Sequence, residues 1–407
     1  MKKTDQNHYE CIIIGAGASG LFFAAGESLS VSSIRGRKLI LEKTLRPGQK
    51  LLMSGGGMCN ITHGGPIKTF IGRYGEDGRK IRTVLYRHSN LELMDMFRKL
   101  GVPLAERADG KVFPESMKAK DVLDALLSAA ERSGWEIMTG AEVAGIACAA
   151  GTTAVTLSDG TELTSDKLVV ATGGASYPAT GSDGTFFKVL ERDLGLQVSP
   201  LHPALSPVYV QDFRYEELAG VDFDDIEVKC GGNVSRGPAL ITHRGFSGPA
   251  ILHISRYAYP GSDMVINYVP EMSTESMLAK MKEEQPGTNV TAGTYVASLT
   301  GLPKAFVNKV IRLPGEKFST LSYREIQEIV SDITHHIYSV SGTGGWNDAM
   351  VTAGGISLDQ IDLKTMKIKK DPGADVRIIG EALDICGESG GYNLQFAYSS
   401  AMAALEP

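Results

Sequence analysis

A glycine-rich turn between an apolar strand and a helix is the feature that most constrains the fold of this chain. In the sequence CIIIGAGASGLFFA, residues 11–24, it matches the pattern G-x-G-x-x-G. The first glycine permits a tight turn, the second lets the backbone approach a pyrophosphate, and the third lets the helix pack against the strand. The N–H groups at the helix N-terminus then face the phosphates. The turn predicts dinucleotide contacts at Gly15, Gly17, Ala18, Ser19 and Gly20.

An acidic residue ends the second predicted strand. Glu42 follows the apolar residues 38–41 and lies 22 positions after Gly20, close to the spacing of about 20 in dinucleotide-binding folds. A carboxylate there can accept hydrogen bonds from both ribose hydroxyls, and it would repel a 2′-phosphate. The strand, the turn, the helix and the acid together predict a Rossmann-type unit.

Three later segments favour FAD over NAD. The sequence LVVATGG, residues 168–174, ends a predicted strand in a turn that lets the backbone pass close to a cofactor. The sequence RIIGEALD, residues 377–384, places acids just past another strand, where Asp384 can bind a ribitol chain. Residues 390–393 then open a helix whose N-terminus can face the negative charge of a reduced isoalloxazine. NAD has neither the ribitol nor that ring, so the segments predict FAD.

Periodicity along the 407 residues predicts an α/β protein with insertions. Alternating strands and helices indicate a doubly wound Rossmann-type fold, which the middle of the chain interrupts. There, residues 201–270 have strand-like alternation and residues 274–341 have helical periodicity. The predicted boundaries are 1–195 for the first part of the FAD-binding domain, 196–272 for a β-rich insertion, 273–343 for a small helical unit and 344–407 for the second part of the FAD-binding domain.

Composition argues against several classes of protein. The chain has 41 Lys and Arg against 47 Asp and Glu, a net charge of −6. An acidic chain without a basic stripe matches nucleic-acid binders poorly, so we predict no nucleic-acid partner. The five cysteines have neither disulfide nor zinc spacing, which indicates a reducing cytoplasm and no metal site. The apolar run 11–25 is too short for a membrane span, so we predict no membrane partner.

The ordered motifs of the chain resemble those of a known flavoprotein family. The chain is similar to bacterial aminoacetone oxidase-like flavoproteins, which include the bile-acid 3-oxo-ene reductase type. The motifs are GAGASG, GQKLLMSGGGMCNITH, VFPESMKAKDVLDAL, VVATGGASYPATGSDG, THRGFSGPAIL, VTAGGI and GEALDICGESGGYNLQFAYSSAMAA. They span nearly the whole chain, and SGGGMCN and GGYN are the specific ones.

The resemblance implies a two-part FAD domain, a β-rich insertion and a small helical unit. Together with the glycine turns above, it implies cofactor contacts at Glu42, Lys43, Gln49, Lys50, Gly55, Gly56, Gly57, Cys59, Asn60, Val143, Thr172, Gly173, Gly174, Gly380, Glu381, Asp384, Gly391, Tyr392, Asn393 and Leu394. Four positions depart from the family pattern. Met58 and Gln49 replace arginines, His63 replaces an asparagine, and Arg244 replaces a hydrophobic residue. These departures weaken any transfer of a substrate from one family member to this chain.

Three residues are candidates for the substrate pocket. Tyr177 follows the ATGG turn and can line the flavin face, His243 can donate a proton, and Arg244 can bind an anion. Each also has an ordinary structural interpretation, so the sequence assigns no catalytic residue. Cys59 lacks a partner thiol in its motif, which favours a packing role over a redox role.

The sequence therefore predicts an FAD-dependent oxidoreductase that exchanges a hydride with a small organic substrate. Two reactions stay open: oxidation of an amine or α-amino ketone, and reduction of an enone. The alternatives are a flavin-dependent RNA-modifying protein and a non-enzymatic flavin-binding regulator. The dense glycine cluster at 341–346 lacks G-x-G-x-x-G, so we predict that NAD(P)H, if used, is a transient reductant in the substrate pocket. The sequence contains no feature that indicates an oligomeric state.

Overall fold

The computed structural model describes residues 7–29 and 34–407. Contacts between residues divide the chain into two compact units. The first unit ends at His202 and resumes with Val351–Pro407, and the second unit is Pro203–Met350.

In chain order, the strands are β1 His8–Ile14, β2 Lys38–Glu42, β3 Thr62–His63, β4 Leu104–Glu106, β5 Lys111–Pro114, β6 Trp135–Thr139, β7 Val143–Ala149, β8 Thr152–Leu157, β9 Glu162–Val170, β10 Val198–Ala204, β11 Val208–Val210, β12 Asp222–Cys230, β13 Asn233–Ile241, β14 Gly245–Ser247, β15 Asp263–Asn267, β16 His336–Thr343, β17 Val351–Ile356, β18 Ile361–Asp362, β19 Lys367–Ile368 and β20 Asp375–Ile378. The α-helices are α1 Ala18–Leu29, α2 Gln49–Met53, α3 Arg82–Arg87, α4 Asn90–Lys99, α5 Ala119–Arg132, α6 Phe187–Leu194, α7 Pro249–Ile254, α8 Thr274–Glu284, α9 Ala292–Thr300, α10 Lys304–Val310, α11 Tyr323–Thr334 and α12 Tyr392–Ala403.

A nine-stranded sheet forms the core of the first unit. Five of its strands are parallel, in the order β6-β2-β1-β9-β20. In register, Ile14 of β1 lies beside Leu41 of β2 and Val170 of β9. Because parallel strands end at the same edge of a sheet, the turns that follow β1, β2, β9 and β20 meet there. This arrangement confirms the predicted Rossmann-type α/β fold.

In the middle of the sheet the parallel strands are apolar, as expected where helices cover a sheet. Ile12, Ile40 and Val169 have no measurable exposure. The strand predicted at residues 38–42 is confirmed as β2. The i, i+3, i+4, i+7 spacing of apolar residues over 119–130 predicts a helix, and the structure has it as α5, which runs to Arg132. The helix predicted after the glycine turn begins at Ala18. The glycine turn therefore lies between β1 and α1, as its sequence predicts.

Between β2 and α5 the chain forms a smaller layer. It holds the antiparallel sheet β3-β5-β4, a 3₁₀ segment over Ile67–Arg79, and helices α3 and α4. The carbonyl of His88, at the end of α3, accepts hydrogen bonds from Gln395 Nε2 at 3.1 Å and Ser399 Oγ at 2.6 Å. These bonds fix α3 to α12.

The second unit contains a closed barrel of strands β11-β14-β13-β12-β15-β16. Helices α8 to α11 lie between β15 and β16 in sequence, and they share one hydrophobic core with the strands. The sequence predicts a helical unit over 273–343, whereas residues 336–343 form β16. This strand pairs with β15 and β11 and so closes the barrel. The reason is the end of α11 at Thr334: His335 has φ −147° and ψ 44°, outside helical geometry.

In the described parts of the chain, no helix has both the length and the apolar character that crossing a bilayer requires.

Candidate cofactor and active site

The turn after β1 is held against the ends of two neighbouring strands. The N–H of Gly15 donates to the carbonyl of Leu41 at 2.7 Å. Gly15 has φ +105°, and a Cβ there would lie 2.5 Å from the carbonyl oxygen of Ala171. Only glycine fits this position. At Gly17, by contrast, a Cβ would meet no atom within 4 Å, so the backbone borders open space in which a ligand can approach.

Glu42 is buried at the end of β2 and organises the same turn. Its Oε2 accepts from the N–H of Ala16 at 2.9 Å, and its Oε1 accepts from the N–H and hydroxyl of Thr44, both at 2.8 Å. A carboxylate has about four acceptor positions, and three are used here. The remaining position, on Oε2, leaves room for one ribose hydroxyl rather than for the two expected from the sequence.

Two other predicted contacts lie near Glu42. Lys43 Nζ is 2.6 Å from Asp183 and 3.3 Å from Glu142, and its pKa is raised: burial works against the charged form, but the two acidic partners outweigh it. Its charge is thus directed to protein carboxylates. The N–H of Ala141 donates to the carbonyl of Glu42, and Val143 begins β7 two residues later.

Lys50 forms a polar network with residues from three other turns. Its Nζ lies 2.6 Å from Glu381 Oε2 and donates to Ser176 Oγ at 2.5 Å. Glu381 Oε1 also accepts from Ser176 Oγ at 3.1 Å and from the N–H of Thr352 at 2.8 Å. The Lys50 and Glu381 side chains are 24% and 23% exposed, so the ion pair is partly screened from water. Ser176 and Thr352 are not among the predicted contacts, and in the sequence only their closeness to glycine turns points to them.

Helix α2 begins at Gln49 and is followed by the sequence SGGG, residues 54–57, which forms an exposed loop. Gly55 and Gly56 have left-handed φ values of 57° and 66°, and Gly55, Gly56 and Gly57 are all exposed. Leu52 and Met53 beside them are 37% and 47% exposed. A glycine loop that carries exposed apolar side chains is suited to cover a bound ligand.

Cys59 follows this loop and is fully buried. Burial raises the pKa of its thiol to about 11, so the thiol is protonated at neutral pH. This supports the packing role rather than a redox role. The guanidinium of Arg107 lies 3.6 Å from the sulfur of Met58, so a cation is still present where the family pattern places an arginine.

The first turn of α12 is joined to the SGGG segment. In the orientation that satisfies its neighbours, the Asn60 amide donates to the Val112 carbonyl at 3.2 Å and accepts from the N–H of Gly391 at 3.1 Å. The ring of Tyr392 stacks on His63 with centroids 5.4 Å apart. His63, which departs from the family pattern, therefore packs against a predicted cofactor contact.

The last predicted contacts lie around α12 and the turn before it. Asp384 Oδ1 accepts from the N–H of Gly354 at 3.1 Å. The Asn393 side chain accepts from the N–H of Gly387 at 2.8 Å and donates to its carbonyl at 2.9 Å. Leu394 lies in the first turn of α12, and Gly380 begins the short turn that carries Glu381. The structure thus brings most predicted cofactor residues to one edge of the sheet.

One buried polar atom at this edge is consistent with an additional ligand. Ser182 Oγ is buried and has no hydrogen-bond partner among the described residues. It lies 3.1 Å from the position that a Cβ on Gly173 would take. A buried hydroxyl without a partner is costly, and a polar ligand atom would satisfy it. The edge therefore fits FAD, with Thr172, Gly173 and Gly174 beside the same space.

The substrate-pocket candidates fall in both units. Tyr177 is in the first unit, half-buried, with φ 54° and a carbonyl that accepts from Thr180 Oγ1 at 2.7 Å. His243 and Arg244 are exposed in the tight turn between β13 and β14 of the second unit. The Arg244 guanidinium lies 4.4 Å from the ring centroid of Tyr209, so it is engaged in a cation–π contact.

The family described as the HI0933-like protein Rossmann domain matches residues 9–406. This chain belongs to that family. A full-length relative from Escherichia coli strain K12 is named ribosomal RNA dihydrouridine synthase. It is 33% identical over 98% of this chain and 97% of its own. A relative from Clostridium scindens is named 3-dehydro-bile acid delta(4,6)-reductase and is 29% identical over 96% of this chain and 97% of its own.

A solved structure of similar fold is the 3-ketosteroid delta1-dehydrogenase from Sterolibacterium denitrificans. The alignment has a TM-score of 0.52 and 11% identity, and it covers 98% of this chain and 99% of that one. At this identity the likeness concerns the fold alone. Membership of the family and the glycine-lined edge agree with the prediction from sequence: the chain is an FAD-dependent oxidoreductase.

Proposed function

We propose that this enzyme reduces a carbon–carbon double bond conjugated with a carbonyl group, and that the substrate is a small organic molecule. One observation carries the proposal. The names of two relatives aligned along nearly the whole chain, a delta(4,6)-reductase and a dihydrouridine synthase, both denote saturation of a carbon–carbon double bond. Oxidation of an amine or α-amino ketone stays a prediction from the sequence, as does a cytoplasmic location.

When bound and reduced, the flavin would supply the hydride for one carbon of the double bond, and a proton would complete the other carbon. The residues of the chain bind and orient the reacting partners. Glu42 and the turn at Gly15 would hold the adenosine side, and Asp384 would hold the ribitol. Lys50 is held at the same edge of the sheet by Glu381 and Ser176, and these two bonds use two of the three N–H donors of its ammonium. The third N–H would donate to a negatively charged oxygen of the reduced cofactor or of a developing enolate.

NAD(P)H is the proposed reductant of the cofactor, and it would use the same pocket as the substrate. The two partners would then alternate, because one pocket cannot hold both.

A second candidate substrate is a uridine in RNA. It is favoured by the names of two relatives, from Escherichia coli and Haemophilus influenzae, at 33% and 31% identity along nearly their full lengths. The uracil ring also has a carbon–carbon double bond conjugated with a carbonyl, so the proposed chemistry applies to it unchanged.

The test is anaerobic mixing of the chemically reduced holoenzyme with separate substrates, followed by flavin absorbance and product mass. The panel contains a steroid enone, a short aliphatic enone and a uridine-containing RNA. We expect reoxidation by an enone with a mass gain of two hydrogens in the product. The proposal is overturned if no conjugated carbonyl compound reoxidises the flavin, while the oxidised enzyme is bleached by aminoacetone.

A further inference from the structure

The charge of this chain is unevenly distributed along the sequence. Residues 46–120 hold 14 Lys and Arg against 7 Asp and Glu, a net charge of +7. The other 332 residues hold 27 Lys and Arg against 40 Asp and Glu, a net charge of −13. The whole chain is therefore acidic, but residues 46–120 are basic. We call these residues, which form the layer between β2 and α5, the basic segment.

Part of this positive charge forms an exposed stripe on the helical turn that leads into α3. Arg79, Arg82 and Tyr86 follow the spacing i, i+3, i+7 and are all exposed. Backbone hydrogen bonds from Ile81 to Asp77 and from Leu85 to Ile81 continue the helical geometry through this stretch. We call Arg79, Arg82 and Tyr86 the α3 stripe.

The opposite side of the same turns is buried, which fixes the stripe on the surface. Ile81, Val84 and Leu85 are at most 1% exposed and belong to the core of the first unit. Tyr86, by contrast, is 45% exposed. The α3 stripe therefore cannot turn inward without exposing that apolar side.

The charges of the α3 stripe are not neutralised by neighbouring carboxylates. Within residues 7–29 and 34–407, no Asp or Glu forms an ion pair with Arg79 or Arg82, whereas the adjacent Lys80 pairs with Asp77 at 3.1 Å. The Arg82 guanidinium lies 5.2 Å from the centroid of the Tyr86 ring. The guanidinium of Arg82 beside an exposed aromatic ring, with Arg79 one turn earlier on the same exposed stripe, can bind phosphates while the ring stacks on an unpaired base.

The stripe is fixed to the helix whose first turn forms part of the candidate cofactor site. The carbonyl of His88, two residues after Tyr86, is bonded to Gln395 and Ser399 of α12. Gln395 lies four residues after Gly391, which is about 6 Å along a helix axis. A polymer bound on the stripe would thus pass close to that site.

We propose that the α3 stripe is a docking surface for single-stranded RNA, with the two arginines on phosphates and Tyr86 stacked on a base. The inference rests on the proposed reduction of a conjugated double bond and on its second candidate substrate, a uridine in RNA. The prediction of no nucleic-acid partner rests on the charge of the whole chain, whereas this surface depends on the charge around α3.

The test is fluorescence anisotropy of a labelled uridine-rich RNA oligonucleotide with the holoenzyme, over a series of salt concentrations. For the double variant Arg79→Gln/Arg82→Gln we expect affinity about tenfold weaker at low salt, and a slope of log affinity against log salt that is less steep by about 1.4, for two lost phosphate contacts. For Tyr86→Ala we expect about tenfold weaker binding with an unchanged slope, because stacking is uncharged.

The matched control is Lys304→Gln/Arg324→Gln, which removes the same charge from exposed helical positions of the second unit. The inference is overturned if the wild type does not bind the RNA, or if the control weakens binding as much as the α3 double variant does. Reoxidation by a small enone should be unchanged in all variants. Loss of RNA binding thus tests the docking surface, while failure with every conjugated carbonyl compound tests the proposed reaction.

Discussion

Glu42 connects the fold to the proposed cofactor site, so the substitution Glu42→Ala has two separable effects. In the protein without FAD, it removes the acceptor of the Ala16 N–H, and Ala16 has no measurable exposure. A buried donor without a partner costs about 1–3 kcal/mol. The Thr44 donors are only partly buried and can turn to water, so they add little. We expect a loss of about 2 kcal/mol, which lowers the melting temperature by about 5 °C for a unit of this size.

The second effect concerns FAD itself. The free acceptor position on Glu42 Oε2 would take one ribose hydroxyl, and a hydrogen bond to a charged group is worth about 1.5–3 kcal/mol. Glu42→Ala should therefore weaken FAD binding about 10- to 100-fold. The assay is FAD titration of the apoprotein, followed by quenching of flavin fluorescence, together with thermal unfolding of the apoprotein.

The control is Glu131→Ala, which removes an exposed carboxylate near the end of α5. It should leave both quantities unchanged. If Glu42→Ala binds FAD within twofold of the wild type, then Glu42 does not hold the ribose. If the apoprotein melts at the wild-type temperature, then the hydrogen bond to Ala16 does not stabilise the turn.

Three further predictions follow from named contacts. Glu27→Gln should destabilise the first unit by about 3–5 kcal/mol in urea unfolding, because the buried ammonium of Lys38, 3.0 Å from Glu27, loses its charge partner. The control Glu10→Gln changes an exposed side chain and should leave the free energy of unfolding unchanged. Equal free energies of unfolding for the two variants would contradict this prediction. The Cys59 thiol, with a pKa of about 11, should react with an alkylating reagent in the native protein far more slowly at pH 8 than a free thiol does. Rapid labelling of the peptide that contains Cys59, measured by mass spectrometry, would refute the burial of this thiol. Initial rates with NAD(P)H and an enone both varied should give parallel double-reciprocal lines, whereas intersecting lines together with a ternary complex would exclude a shared pocket.

The sequence predicts the parts of the fold that depend on local backbone geometry. Gly15 and Gly20 stand at fixed spacing because the turn and the helix contact impose it, and Glu42 lies at the end of the next strand for the same reason. These constraints act over fewer than about 40 residues, so they leave a visible pattern. The strand β2 and the helix α5 carry equally local signals in their apolar periodicity.

The rest of the site depends on pairings that leave no local pattern. Lys50 and Glu381 are 331 positions apart, and their contact exists only because the turns after several strands meet at one edge. Lys43 is also predicted as a cofactor contact, yet Asp183, 140 positions away, takes its charge. The closing strand β16 is similar: its partners β11 and β15 are chosen by barrel closure, not by any feature within residues 336–343.

The net charge of the whole chain is likewise a poor guide to what the protein binds. A net charge summed over a chain measures self-repulsion and solubility, whereas binding of a polyanion depends on the charges within about one Debye length, near 10 Å, of the contact. Within the basic segment, Lys50, Arg73 and Arg87 are paired with carboxylates from the C-terminal part of the chain. Arg79 and Arg82 have no such partner among the described residues, so their charges remain available around α3. The net charge of the whole chain therefore does not distinguish a small organic substrate from an RNA. The charge around α3 is the quantity that bears on this choice.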